Sequence, residues 1–168
     1  MDIFVIKITN ADTIDKDLLK QFQKKEISNP KTWNSHCFSY LMLDKILKEV
    51  YKIEDRVIIF ENKKPLLKSR KKHFSISHSK DFIAIAFSDF NCGIDIEKIK
   101  SRDFEKISKR MNFKAHTIEE FYQEWTKFEA EYKLSSKVFS SKNFQIENYS
   151  LTAVSENPDE KYEIYFSN

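Results

Sequence analysis

A single glycine, Gly93, among 168 residues constrains this chain more than any other feature. A dinucleotide-binding fingerprint needs three glycines and a P-loop needs two, so neither backbone-built phosphate cradle can be present. Collagen-like repeats and glycine-rich linkers are excluded as well. What remains is a chain with large core side chains: 15 Phe, 14% aromatic residues and 40% hydrophobic residues. A chain of this length buries about 70% of its unfolded surface and folds without covalent staples. It should form one domain, or two small halves around a shared core.

The 29 Lys and Arg exceed the 26 Asp and Glu, for a net charge of +3. That mild excess suits an acidic partner or a phosphorylated ligand. The basic residues lack the face-long clustering of a nucleic-acid module, so no nucleic-acid partner is expected. Cys37 and Cys92 show no metal-ligand spacing and read as free thiols of a reducing compartment. The apolar run near Met1 is too short for a signal peptide, and no stretch is long enough for a membrane span. The chain is expected to be cytoplasmic and soluble, with no membrane partner.

Residues 3–9 alternate as a strand, and Asp12-Thr13 could cap a helix running toward Lys25. Asn29-Pro30 reads as a break. Residues 35–51 read as a long helix with an apolar stripe of Tyr40, Leu43, Ile46, Leu47 and Val50. Val57 to Phe60 is a strand, followed by a turn near Asn62. The basic run from Lys63 to His73 reads in isolation as a solvated loop, or alternatively as an anion-binding surface. Phe74–His78 and Asp81–Phe87 read as a hairpin, and Cys92–Glu97 as a third strand. Asp103–Asn112 and Thr117–Leu134 read as helices, the second capped by Thr117. Strands are expected at 144–146, 151–154 and 162–166, with Asn157-Pro158-Asp159 turning the last hairpin.

Three groups of residues carry candidate chemistry. Asp95 and Glu97, two apart on a strand, share a face opposite Ile94 and Ile96. Side by side they repel unless a cation sits between them, and hard oxygen ligands suit Mg²⁺ together with substrate phosphates. D-x-E is common by chance, and Asp103-Phe104-Glu105 is a second instance that reads as a solvated helix start. Trp125, Glu129 and Lys133 share one helix stripe beside an apolar seam of Ile118, Phe121, Trp125, Phe128 and Tyr132. Glu129 and Lys133 read either as a surface ion pair or as a metal ligand with a cation beside it. His78, within Ser77-His78-Ser79, reads either as structural or as a phosphate donor.

In this order the motifs resemble those of the 4′-phosphopantetheinyl transferases of the surfactin-synthetase-activating (Sfp) type, in the holo-acyl-carrier-protein synthase superfamily. That family carries G-K-P, F-x-x-S-H-S, G-[IV]-D-[IV]-E and W-[ST]-x-K-E-[SA]-x-x-K. The counterparts here are Lys64-Pro65, Phe74 to Ser79, Gly93 to Glu97 and Trp125 to Lys133. Phe128 replaces the family's lysine before the glutamate, and Lys63 replaces the glycine of G-K-P. Ser135-Ser136-Lys137 stands where glycines usually follow the last motif.

The resemblance implies an α+β fold of two pseudo-twofold-related halves, residues 1–90 and 91–168, each a small antiparallel sheet packed with helices. The active site would lie in the cleft between them. It implies an enzyme that moves phosphopantetheine from coenzyme A to a serine of an acyl or peptidyl carrier protein, releasing adenosine 3′,5′-bisphosphate. Asp95, Glu97 and Glu129 would hold Mg²⁺, with Mn²⁺ as the other candidate ion. Asp95, Glu129 and Lys133 would be catalytic, Glu129 as base. Lys64, Ser77, His78 and Lys133 would contact coenzyme A, with Lys24, Lys25 and Lys31 as further candidates. A monomer is expected. The rival is a catalytically weakened homologue that still binds coenzyme A or a carrier. Gly93 is expected to mark a close backbone approach near the metal site or its ligand.

Overall fold

The computed structural model describes residues 1–8 and 30–167, and side chains within this range except those of residues 30–34. The expected helix from Asp12, together with Lys24, Lys25 and the side chain of Lys31, lies outside the described residues. The order of elements is β1 (Asp2–Lys7), α1 (Pro30–Glu49), β2 (Ile58–Glu61), β3 (Lys64–Leu67), β4 (His73–Ser79), β5 (Phe82–Ser88), β6 (Cys92–Lys98), α2 (Phe104–Met111), α3 (Ile118–Leu134), β7 (Ser140–Ile146), β8 (Tyr149–Ser155) and β9 (Glu163–Ser167). The fold is α+β. A four-stranded sheet runs β4-β5-β1-β9, a three-stranded sheet runs β6-β8-β7, and β2 pairs with β3.

The strand at the centre of each larger sheet is covered on both faces, which explains its sequence. Every residue of β5 is buried. Ile83, Ile85 and Phe87 turn toward Tyr40, Leu43, Ile46 and Leu47 of α1. Phe82, Ala84 and Ala86 turn the other way, into a core shared with Ile94, Ile96, Leu151 and Ala153 of the second sheet. The alternation of β5 is therefore between two apolar environments rather than between core and water. α1 packs outside the first sheet and α3 outside the second. Burying this apolar area, at roughly 25 cal/mol per Å², is the main driving force joining the layers. Val50 was expected in the α1 stripe but follows the end of the helix and is exposed.

α3 comes closest to its sheet at two small residues, Thr126 and Ala130. Its buried positions are Phe121, Tyr122, Thr126, Ala130 and Leu134. The expected apolar seam is thus corrected: Phe128 and Tyr132 are 42% and 75% exposed. The sheet face beneath the helix carries Ser150 and Thr152, both bonded to the Thr126 hydroxyl at 3.2 and 2.8 Å. Phe128 and Tyr132 each lie two residues, about 200° around the helix, from Ala130, so they turn outward. Thr117 caps α3 and Glu120 returns the bond, completing a capping box.

Gly93 belongs to this same contact. A Cβ built there would lie 2.0 Å from the Ala130 carbonyl oxygen. Its role is corrected accordingly, because the backbone that passes close is that of α3. Left-handed geometry at turns, ordinarily a task for glycine, falls to other residues. Asn62 and Lys63 both have positive φ in the two-residue β2–β3 turn, and Ser135 has φ 60° at the end of α3.

Three elements differ from expectation. Part of the basic run forms β3, whose Pro65, Leu66 and Leu67 pair with β2. Pro30 opens α1 rather than ending a segment, as proline's fixed φ allows in a first turn. β9 does not form a hairpin with β8, whose two edges are occupied by β6 and β7. It crosses instead to the free edge of β1 and pairs with it in parallel, Asp2 opposite Glu163.

Candidate active site

β4 and β6 lie edge to edge, running in parallel, joined by serine side chains. The backbone N–H groups of Ile94, Ile96 and Lys98 donate to the hydroxyls of Ser75, Ser77 and Ser79, at 3.1, 3.3 and 3.1 Å. β4 thus offers β6 its side-chain oxygens as acceptors. The two larger sheets meet along this seam.

The acidic pair of β6 sits on the seam, with Ile94 and Ile96 facing the core as the alternation predicted. Asp95 is only 5% exposed. Its Oδ1 accepts from the Ser77 hydroxyl and the Lys133 ammonium, each at 2.7 Å. Its Oδ2 is buried and has no hydrogen-bond partner among the described residues. The Glu97 carboxylate accepts from Ser79 at 2.8 Å. Burial, with the Asp95 charge adding to it, raises the Glu97 pKa despite the Ser79 bond. Lys133 spans from α3 to β6, donating also to the Ile94 carbonyl at 3.1 Å.

These groups line a cavity of about 590 Å³, a volume suited to a cofactor-sized ligand. Ser77, His78, Asp95, Glu97, Lys133 and Lys64 all face it, so six of the seven sequence-derived site residues are gathered at one place. Glu129, half-buried one turn before Lys133, is not among the lining residues. No group of three His, Cys, Asp or Glu close enough to hold a metal occurs among the described residues. The donor set suits a divalent ion through two carboxylates, and the orphaned Asp95 Oδ2 is the atom that lacks a partner. Mg²⁺ characteristically takes one or two carboxylates and completes its shell with water and substrate phosphate.

Lys64 is held more firmly than a free phosphate contact would be. Its ammonium donates to Asn91 Oδ1 at 2.5 Å and to the carbonyls of Cys92 and Leu134 at 3.3 Å. It pins the β2–β3 hairpin to the end of α3, and burial lowers its pKa. Sequence reasoning missed the contribution of α1, whose His36 and Tyr40 line the cavity. The apolar stripe includes Tyr40, but nothing in the local pattern singles out His36. Cys37 and Cys92 are free and buried. No helix among the described residues is long and apolar enough to cross a membrane.

The histidines predict a pH dependence. Burial is the first cause lowering the pKa of His36, His73 and His78 from 6.5. Lys64 and Arg70 lower His73 further, and Lys133 and His36 lower His78 further. Below about pH 6.5 the unfolded chain therefore binds more protons than the folded one, so stability falls as pH drops through that value. Melting temperature should decrease from pH 7.5 to pH 6.0, and the decrease should shrink in His73→Gln. A flat or rising profile would contradict the lowered proton affinity of these imidazoles in the folded chain.

No family model matches the chain. Among curated proteins, the 4′-phosphopantetheinyl transferase psf-1 of Bacillus pumilus is 31% identical over 169 aligned positions, spanning 83% of this chain and 71% of that protein. The match extends well beyond the short motifs and takes in most of both chains. With that similarity, the chain belongs to the Sfp-type 4′-phosphopantetheinyl transferases, a family of transferase enzymes.

Proposed function

We propose that the chain transfers the 4′-phosphopantetheine group of coenzyme A to a serine of an acyl or peptidyl carrier protein, with Mg²⁺ or Mn²⁺, releasing adenosine 3′,5′-bisphosphate. One observation carries this reading: the buried, unpartnered Asp95 Oδ2 beside Glu97, with Lys133 and His78 facing the same cavity. Asp95 and Glu97 would hold the ion, with Glu129 as the third ligand named by the family pattern. The ion would supply Lewis-acid stabilisation of a pyrophosphate and a template for its orientation. Lys133 places a positive charge where negative charge develops on the leaving phosphate. His78 would orient the phosphates, with His36 lining the same cavity. Glu129 would accept the proton of the incoming serine hydroxyl, directly or through water. Residues 1–90 and 91–168 would act as two halves of one compact unit, with the β4–β6 seam as the reaction site. The mild positive charge suits an acidic carrier, and a cytoplasmic monomer is the form in which we expect it to act.

The test is incubation with coenzyme A, Mg²⁺ and a panel of apo carrier proteins, read by intact mass. A carrier should gain one phosphopantetheine. If none does while a control transferase modifies the same panel, the reading fails. The place of Glu129 outside the cavity lining, with Phe128 before it, favours one rival: a homologue that binds coenzyme A or a carrier with weakened turnover. Calorimetry showing tight coenzyme A binding without transfer to any carrier would select that rival.

A further inference from the structure

We infer that Ser77 and Ser79 are positioning residues, which hold the carboxylates of Asp95 and Glu97 in the arrangement that receives a divalent ion. This rests on the metal-dependent reading above. A hydroxyl has one proton to donate and lone pairs to accept. Here each hydroxyl uses both capacities across the seam. Ser77 accepts from the Ile96 N–H at 3.3 Å and donates to Asp95 Oδ1 at 2.7 Å. Ser79 accepts from the Lys98 N–H at 3.1 Å and donates to Glu97 Oε2 at 2.8 Å.

Each serine therefore ties a carboxylate to the backbone one residue further along the same strand. Both serines are buried, so the two bonds are shielded from water. One oxygen of each acid is engaged, while Asp95 Oδ2 keeps no partner. Lys133 also holds Asp95 Oδ1, but Glu97 without Ser79 would swing away to lower the repulsion. Fixing them in the absence of the ion removes that freedom, which is how partners behind metal ligands raise affinity. Ser75 is the internal control. It accepts from the Ile94 N–H at 3.1 Å, but the residue that precedes Ile94 is Gly93, which offers no carboxylate.

The experiment uses the full chain and Mn²⁺ as the probe ion, with coenzyme A present. Mn²⁺ binding is read by electron paramagnetic resonance, and the Mg²⁺ concentration for half-maximal transfer is measured in parallel. Ser79→Ala should weaken Mn²⁺ binding about 10-fold or more and raise the half-saturating Mg²⁺ by a similar factor. Its maximal rate at saturating metal should change far less. Ser79→Thr, which keeps the hydroxyl, should restore most of the loss. Ser75→Ala should lower the melting temperature while leaving the metal dependence as in the unmodified chain.

Ser79→Cys has a similar volume and a poor donor, and it should match Ser79→Ala if the latter does not fold. Unchanged Mn²⁺ affinity in Ser79→Ala or Ser79→Cys overturns the inference. So does a Ser79→Thr variant no better than alanine. An unmodified chain that binds no Mn²⁺ in the presence of coenzyme A overturns the metal reading itself and this inference with it. The first two results leave that reading standing.

Discussion

Asp95→Ala should abolish measurable transfer, a loss on the order of 10³-fold or more by analogy with other electrostatic contributions in active sites, while the protein stays folded. Asp95 is the junction of the site. It receives Ser77 from β4 and Lys133 from α3, and its second oxygen has no partner. Alanine removes the proposed metal ligand and also frees Lys133, whose side chain is 30% exposed and can turn to water. Because the lysine can be solvated, the fold should survive. Loss of a fully buried pair would cost about 3–5 kcal/mol, and this half-open pair should cost less. Transfer to an apo carrier, circular dichroism and a thermal melt check the two halves of the expectation. Activity close to that of the unmodified chain would remove Asp95 from the chemistry.

Gly93→Ala should be the most damaging single substitution to the fold. The added Cβ would meet the Ala130 carbonyl oxygen at 2.0 Å and the Leu134 nitrogen at 3.0 Å. Both are backbone atoms, so no side-chain rotation relieves the clash. α3 must move outward or β6 must move away, breaking the Thr126 hydroxyl contacts and displacing Lys133. Overpacking of this kind costs about 1–3 kcal/mol, occasionally more, and the rigidity of both partners puts this case at about 3 kcal/mol or above. A denaturant melt measures it directly. A stability within about 0.5 kcal/mol of the unmodified chain would mean that helix and strand do not meet as described. Activity should fall in parallel, because α3 carries Lys133.

Local chemistry made parts of this structure readable in advance. Alternation located β4, β5 and β6, and the Thr117 cap with Glu120 located the start of α3. Side-chain period two put Asp95 and Glu97 on one face, with Ile94 and Ile96 on the other. The rest depended on which elements meet. A serine reads as polar wherever it occurs, so nothing in Ser75, Ser77 and Ser79 declared that their hydroxyls would stand in for backbone acceptors toward β6. Phe128 and Tyr132 read as part of an apolar seam because they share a helix stripe with Phe121 and Trp125. The helix meets its sheet at Thr126 and Ala130, which puts Phe128 and Tyr132 on the far side. β3 was hidden because its Lys64 continues a run of charge. His36 became part of the site only when α1 packed against the first sheet.

The crossing of β9 to β1 ties the order of synthesis to the completion of the fold. β1 is synthesised before every other described strand and β9 after them, and they lie side by side in one sheet. Until β9 arrives, the first sheet presents the open edge of β1, a template for pairing with a strand of another chain. The second sheet, by contrast, is assembled from β6, β7 and β8 and can close earlier. A nascent chain arrested before β9 would therefore carry a nearly finished site and an unprotected edge. Such a chain is a natural client for a chaperone, and a hazard at high expression.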